Sequence, residues 1–322
     1  MQAVVRYNYG NVDKVQVAEI DKPEPGKGQV GIEVNNAGLD RGIVHMLTGV
    51  PQVMRLGTGL RKPSNPLLGI DFLGQVNAVG EGVTGFEAGQ LVYGNGVGTL
   101  AEYAIATPKQ IAVVYPETLD YSLGILPVSG CTALQALRDQ AKVEPGQRVL
   151  INGASGGVGT FAVQLAKLMG CEVVAVASSA KAEQLEELEP DRIIRYDREP
   201  LPASGDFDAI LDIGGMVPIS TLRRALSPTG TLVLVGGEGG SSFAAGLGRQ
   251  VGGMVSSVFS KQKVKMFVSS TRTNDLETLA DYVTSGRLKP VIGRAVSLEE
   301  VPQALGALER GEVFGKVLVD IA

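Results

Sequence analysis

The sequence has two cysteines, one histidine, no basic excess and no long apolar run, and each shortage narrows what the protein can be. Cys131 and Cys171 lie far apart, each without a second cysteine nearby, so no disulfide framework is expected and a reducing, intracellular setting is favoured. No window reaches the ~18 uninterrupted apolar residues of a membrane span. The start, Met1 to Arg6, lacks the charged and apolar layout of a signal peptide, which points to a cytoplasmic protein with no membrane partner. Acidic residues number 34 against 29 basic, a net charge of -5. A phosphate-backbone binder carries a basic excess instead, so no nucleic acid partner is expected. The densest basic run, Lys261-Gln-Lys263-Val-Lys265, reads as a solvated strand or helix edge.

What is present describes an ordinary soluble chain: 44% hydrophobic and 20% charged. Its 322 residues suffice for two domains, by the rule of about 100–200 residues per domain. The 43 glycines fall in separate turns and form no repeat. Up to about Pro116 the apolar runs are short: Val30–Val34, Gln75–Val79, Gln90–Tyr93 and Leu100–Ala106. Turn signals such as Pro23-Glu-Pro25-Gly26 and Gly80-Glu-Gly82-Val-Thr-Gly85 separate them. Short strands at that spacing predict a twisted antiparallel, barrel-like domain.

From about Asp120 the rhythm changes. A helix is predicted over Leu123–Arg138, then strands and helices alternate: Arg148–Asn152, Gly157–Met169, Glu172–Ala177, Lys181–Leu188, Arg192–Tyr196, Phe207–Ile213, Ile219–Leu226 and Thr231–Val235. Strands separated by helices of this length need crossover connections and hence a mostly parallel sheet. The stretch Gly236–Ser260, rich in Gly and Ser, fits either a mobile loop or a loosely patterned helix. Strand and helix signals resume after Lys265 and end in Lys316-Val-Leu-Val-Asp-Ile321.

The segment INGASGGVGTFAVQLAKLMG, residues 151–170, carries the most specific signal. A strand, Arg148–Asn152, runs into Ala154-Ser155-Gly156-Gly157-Val158-Gly159, a G-x-G-x-x-G pattern with alanine at its first position. Beyond it Val158, Phe161, Ala162, Leu165 and Met169 recur on one helix face, and Gly170 stops the helix. Strand, tight turn and helix N-terminus aim backbone N–H groups and the positive end of the helix dipole at one point, which binds phosphate. Gly156 would let backbone approach a pyrophosphate, and Gly159 would let the helix pack on the strand. Alone the glycines would indicate only phosphate; with a strand before them and an amphipathic helix after, they predict a dinucleotide site.

The next strand bears on which dinucleotide. An Asp or Glu roughly 20 residues past the loop would bind the ribose 2′-OH of NAD. Here Glu172–Ala177 ends in Ser178-Ser179-Ala180-Lys181. Hydroxyls and an ammonium can hold a 2′-phosphate that a carboxylate would repel, so NADPH is expected. The same serines also read as a helix N-cap, with Lys181 solvated; the two readings are compatible.

The chain resembles the medium-chain dehydrogenase/reductase superfamily, in its zinc-free quinone oxidoreductase-like branch, along nearly its whole length. The resemblance rests on Asn35-Asn-Ala-Gly-Leu39, Gly69-Ile-Asp-Phe-Leu-Gly74, Val79-Gly-Glu-Gly-Val83, Gly130-Cys-Thr-Ala-Leu-Gln135, the turn at 154–159, Asp208-Ala-Ile-Leu-Asp-Ile-Gly214 and Gly315-Lys-Val-Leu318. It implies an α/β protein: a Rossmann doubly wound parallel sheet over 121–265, plus a GroES-like antiparallel β-barrel domain formed by 1–120 and 266–322, with the active site between the two. It further implies that Ser178, Lys181 and Tyr196 surround the 2′-phosphate, and that Thr132, Gly236, Gly237 and Lys316 lie along the nicotinamide half. A homodimer through an exposed strand edge of the Rossmann sheet, at Thr231–Val235, is also implied.

Departures from the family are informative. Zinc-dependent members carry a cysteine near Leu39–Asp40 and Gly-His-Glu where this chain reads Gly69-Ile70-Asp71; the four clustered cysteines of their structural zinc are also missing. Catalytic zinc needs about three converging N, S or O ligands, and with His45 alone and the cysteines elsewhere no metal site is expected. Without a Lewis acid an alkoxide goes unstabilised, which disfavours direct alcohol oxidation. Reduction of a quinone, or of the β-carbon of an enone, is easier because the substrate spreads the developing charge; the protein need only position it and donate a hydrogen bond.

His45 is the candidate donor and Asp40 a second candidate catalytic residue. Asp40 matches the Asn position and His45 the Tyr position of related quinone reductases, while Ile43 stands where those carry Asp. Each equally fits a structural role: a packed or solvated histidine and a hydrogen-bonding aspartate. Asp71 reads as structural. Met46, Met54, Leu56, Phe243 and Phe259 are the expected apolar walls for a flat substrate. Val50–Asn65, with Arg55, Arg61 and Lys62, reads as a cleft-edge loop and candidate lid. Two alternatives stay open: a metal-free carbonyl or alcohol dehydrogenase, and a catalytically silent NADPH-binding protein acting as a sensor or with RNA.

Overall fold

The computed structural model describes residues 1–236 and 261–321, and the chain divides into two compact units, residues 1–131 with 270–322 and residues 132–269. In the first unit β1 (Gln2–Val5) and β2 (Gln16–Glu19) form an antiparallel pair. β3 (Val30–Leu39) follows, then α1 (Arg41–Thr48), the short α2 (Arg55–Thr58), β4 (Asp71–Val79), β5 (Leu91–Val97) and β6 (Tyr103–Val113). The two-residue period expected of half-buried strands is visible in β6, where Ala104 and Ala106 are buried and Tyr103, Ile105 and Thr107 are less so. β3 pairs with β4, β4 with β5, β5 with β6, and β6 returns to β3, all antiparallel, so these four strands close on themselves as a barrel.

The predicted helix over Leu123–Arg138 is divided. A 3-10 turn occupies Tyr121–Ile125, α3 spans Pro127–Gln135, and a π-helical stretch covers Ala136–Ala141. Pro127 has no N–H and fixes its own φ, so it ends the preceding turn and suits the first position of a helix.

The second unit is a six-stranded sheet in the order β12-β11-β10-β7-β8-β9, with every pairing parallel. Its strands are β7 (Arg148–Asn152), β8 (Glu172–Ala177), β9 (Arg192–Arg195), β10 (Phe207–Asp212), β11 (Leu226–Leu234) and β12 (Lys263–Met266). α4 (Gly157–Leu168), α5 (Ser179–Glu186) and α6 (Ile219–Ala225) connect them. The chain winds one way from β7 through β8 to β9 and the other way from β10 to β12, which makes the β7–β10 boundary the switch point where such sheets bind ligands. Leu150, Val174, Ile194, Phe207, Ile210 and Leu232 pack on the core of this sheet.

One expectation is corrected. Thr231–Val235 was read as an exposed edge, yet Thr231 to Leu234 of β11 pair with β10 on one side and β12 on the other. Among the described residues β12 is the outer strand, and it carries Lys263 and Lys265 of the basic run; lysines at an edge discourage pairing with a second chain.

The chain then returns to the first unit as α7 (Thr273–Thr284), β13 (Ile292–Ser297), α8 (Val301–Glu309) and β14 (Lys316–Asp320). β14 takes over from β6 along the same side of β3: Glu33 faces Tyr103 of β6, while Asn36 to Leu39 face Asp320 to Val317 of β14. The barrel core includes Ile32, Leu39, Leu68, Phe72, Val92, Ile111, Val317 and Val319. Fully burying a side chain such as Phe72 contributes about 1.5–3 kcal/mol. No helix among the described residues is long and apolar enough to cross a membrane.

Candidate functional site

In the second unit the glycine turn leaves β7 and enters α4 at the switch point. Its tight bend is made by Gly153, at φ +88, where a Cβ would lie 2.7 Å from the Gly214 nitrogen. The fingerprint count from Ala154 passed over this residue. Ala154 needs no left-handed conformation; it is fully buried and its N–H donates to Val176 O at 3.1 Å. A Cβ on Gly159 would lie 2.2 Å from Gly153 O, so only glycine lets the first turn of α4 sit on the bend. A Cβ on Gly156 would meet nothing of the protein closer than 3.7 Å, which leaves room for a ligand to approach the backbone there. Gly156 is the N-cap of α4 and no side chain caps that end. The N–H groups of Gly157, Val158 and Gly159 therefore have no partner within the helix.

The end of β8 lies alongside. Ser178 is the N-cap of α5, and Tyr196 donates its N–H to Ala177 O at 3.1 Å, which brings it to the same end of the sheet with its side chain 64% exposed. Lys181 is half-buried, and burial lowers its pKa. An acid that the strand reading missed also reaches this point: Asp197 Oδ1 accepts the Ser179 N–H at 2.8 Å. That hydrogen bond leads in holding the Asp197 carboxyl below its usual range, and Arg198 lies 3.9 Å away. Asp197 follows the next strand in sequence, so no count from the glycine turn finds it.

At the switch point Asp212 is fully buried and its Oδ1 accepts from Asn152 Nδ2 at 2.7 Å and from Gly215 N–H at 3.2 Å. Gly236 donates to Asp212 O, and a Cβ on it would lie 1.9 Å from Ile213 O. Thr132 and Ser269 share a hydrogen bond between their hydroxyls at 2.6 Å. Gly237, Phe243 and Phe259 lie outside the described residues.

In the first unit the candidates fall on and beside α1. Asp40 is its N-cap, with Oδ1 accepting from Gly42 N–H at 2.8 Å. Its other oxygen accepts from Lys316 Nζ at 2.8 Å and from Ser129 Oγ at 3.2 Å. Asp71 takes a second N–H of the same ammonium at 2.8 Å and accepts the Val128 N–H at 2.9 Å. Burial opposes the charge of Asp40, but Lys316 and the three hydrogen bonds outweigh it and hold the carboxyl below its usual range. Asp71 goes the other way: burial, with repulsion from Asp40, overcomes the pull of Lys316 and pushes it up to about 6. Asp71 and Lys316 are both buried, so this ion cluster is part of the interior.

His45 sits on α1, with Nδ1 2.9 Å from Val50 O. A carbonyl can only accept, so Nδ1 carries the proton, and the neutral ring then offers an acceptor at Nε2. Met46 packs against the barrel core, whereas Met54 and Leu56 are 38% and 75% exposed. Ile43 is buried in the core. The segment read as a lid is fastened to its own unit. Arg6 donates to Met46 O at 3.0 Å and Asn65 O at 3.2 Å, Arg55 to Gly49 O at 3.0 Å and Thr48 O at 3.1 Å, and Tyr9 Oη to Gly59 O at 2.9 Å. A polar cavity of about 270 Å³ in this unit, lined by Glu33, Asn35, Gln75, Glu102 and Tyr103 with Val34 and Ile321, includes none of the expected site residues.

Residues 26–117 match the family described as alcohol dehydrogenase GroES-like domain, and residues 188–319 the family described as zinc-binding dehydrogenase. The chain is 30% identical to a trans-enoyl reductase of Aspergillus terreus, over 92% of this chain and 87% of that protein. It is 28% identical to a chloroplastic quinone oxidoreductase of Triphysaria versicolor, over 99% of this chain and 98% of that protein. The solved structure of the quinone oxidoreductase from Coxiella burnetii matches with a TM-score of 0.85 at 27% identity, covering 100% of this chain and 99% of that one. Among the described residues no three His, Cys, Asp or Glu side chains converge, and an ammonium already lies between Asp40 and Asp71.

Proposed function

The chain belongs to the medium-chain dehydrogenase/reductase superfamily, in its quinone oxidoreductase-like branch, and from that premise we propose that it is a zinc-independent, NADPH-dependent reductase of quinones or of the C=C of α,β-unsaturated carbonyls. The observation that carries the reading is the uncapped N-terminus of α4 over the Gly153–Gly159 bend, at the switch point of a parallel sheet. Backbone N–H groups of Gly157, Val158 and Gly159, reinforced by the helix dipole, bind the diphosphate. Ser178, Ser179, Lys181 and Tyr196 take the 2′-phosphate end; Asp197 competes there and is partly offset by Arg198. Thr132 and Gly236 belong to the nicotinamide half. NADPH, when bound, supplies the hydride.

The rest of the chemistry falls to this chain's own side chains. Met46, Met54 and Leu56 offer apolar surface to a flat acceptor. His45 donates toward the developing enolate or quinol oxygen. Because Nδ1 is held by Val50 O, that donation comes from Nε2–H of the imidazolium. Asp40 has both oxygens engaged and serves to hold α1.

The test is NADPH consumption over a panel of quinones and enones with the product identified. Quinol or saturated ketone is expected, undiminished by a chelator. An alcohol formed from a carbonyl moves the protein to the metal-free carbonyl dehydrogenases; tight NADPH binding with no turnover, or saturable RNA binding displaced by NADPH, makes it a binding protein. A homodimer would extend the sheet at β9, the outer strand opposite the lysine-bearing β12, and light scattering decides whether the protein is a dimer.

A further inference from the structure

Lys316 is among the largest fully buried side chains of the chain, 1% exposed, and opens the C-terminal strand β14. An ammonium has three N–H donors and no acceptor. All three have partners: Asp40 Oδ2 at 2.8 Å, Asp71 Oδ2 at 2.8 Å and Ser129 Oγ at 3.3 Å. Ser129 in turn donates its O–H to Asp40 Oδ2, so the network is closed and leaves the ammonium no N–H for a ligand.

Each partner belongs to a different element. Asp40 caps α1, Asp71 begins β4 and accepts the N–H of Val128 in the first turn of α3, and Ser129 lies in that same turn. One buried cation thus fastens β14, β4 and the starts of two helices. Gly38 makes room for this, since a Cβ there would lie 2.9 Å from Asp71 Cβ and 2.9 Å from Gly124 O. A buried ion cluster is a poor source of stability, because apolar groups of similar volume often do as well or better. What it adds is direction, since three acceptors fix where the cation sits and so where each partner sits.

We propose that Lys316 is a positioning residue and not a cofactor ligand: its ammonium sets the place of α1, and through α1 that of His45 and Met46. The inference rests on the reductase reading above for the activity it supports, and its own test is kept separate. Lys316→Met alone would leave two buried carboxylates without a cation and is expected to fold poorly. The informative variant is the neutral triple, Lys316→Met with Asp40→Asn and Asp71→Asn, which keeps an amide oxygen to cap α1 and another for the Val128 N–H. Because the chain has no tryptophan, NADPH binding can be read from nicotinamide fluorescence without an indole background. Because it has one histidine, imidazole resonances report on His45 alone.

For the folded triple variant, the expected result is an NADPH Kd within about threefold of the parent, a kcat lowered tenfold or more with KM for NADPH little changed, and displaced or broadened His45 resonances. A Kd raised tenfold or more in a folded variant would overturn the proposal, because Lys316 would then hold cofactor. Unmoved His45 resonances overturn it as well, because the ammonium would then position nothing. A triple variant that cannot fold, with Asp71→Asn and Asp40→Asn each folded, also counts against it, since it would make the lysine a requirement of folding. If the parent neither binds NADPH nor reduces any acceptor, the functional reading fails, while the His45 resonances still decide the role of Lys316.

Discussion

Replacing Asp71 by asparagine removes one charge from the buried cluster while keeping the oxygen that accepts the Val128 N–H. The perturbation reads out through pH. Burial, with Asp40 nearby, raises the Asp71 carboxyl from 3.8 to about 6 despite the pull of Lys316. A carboxyl raised in the folded state stabilises the fold while it is protonated. That contribution is complete below the unfolded value near 3.8 and is lost as pH rises through about 6. A rise of this size is worth about 3 kcal/mol in full, of which about 2 kcal/mol disappears between pH 4.5 and 8. Asparagine carries no such term. Its fit beside Lys316 offsets the whole curve and drops out of the pH dependence, and Asp40, lowered in the folded state, changes its contribution only below this window. At about 2–4 °C per kcal/mol for a unit of this size, the Tm of the parent relative to Asp71→Asn should fall by about 4–8 °C from pH 4.5 to pH 8. Scanning calorimetry on both proteins across that range is the assay. Curves that stay parallel within about 2 °C, or that diverge in the opposite sense, refute the account of Asp71 as a carboxyl kept from ionising by its surroundings.

Four further outcomes follow from the site. Lys181→Glu should weaken NADPH at least tenfold more than NADH; equal weakening removes the 2′-phosphate assignment. Asp197→Asn should lower the KM for NADPH several-fold and leave that for NADH unchanged or raised, since a carboxylate beside Ser179 repels a 2′-phosphate and accepts from a 2′-OH; an equal fall in both would place Asp197 outside cofactor selection. Gly159→Ala puts a Cβ 2.2 Å from Gly153 O, so a loss of about 1–3 kcal/mol in stability and of tenfold or more in NADPH affinity is expected by denaturation and fluorescence titration. His45→Phe should lower kcat several-fold with the NADPH Kd little changed; an unchanged kcat removes His45 as the donor.

Sequence alone determined the elements whose cause is local. Arg148–Asn152 and Glu172–Ala177 are strands with the bounds their apolar runs set, and α4 begins at Gly157 as its three- and four-residue spacing required. The spacing of short strands before Pro116 pointed to the antiparallel barrel, and the alternation of strands and helices after Asp120 to the parallel sheet. Tertiary structure decided what depends on partners distant in the chain. Thr231 was read as an edge because nothing near it shows β12, which pairs from Lys263 across the residues between. Asp197 comes to the start of α5 from the far end of a neighbouring strand, where sequence distance from Ser179 carries no sign of contact. The resemblance places Lys316 along the nicotinamide half of a cofactor site, and nothing near it in sequence shows the two carboxylates it meets. Only the closing of β14 against β3 brings it, 276 residues from Asp40 and 245 from Asp71, into an interior where a cation must be matched by carboxylates. Periodicity records which face of an element is apolar; which charges meet when those faces are buried is set by the packing.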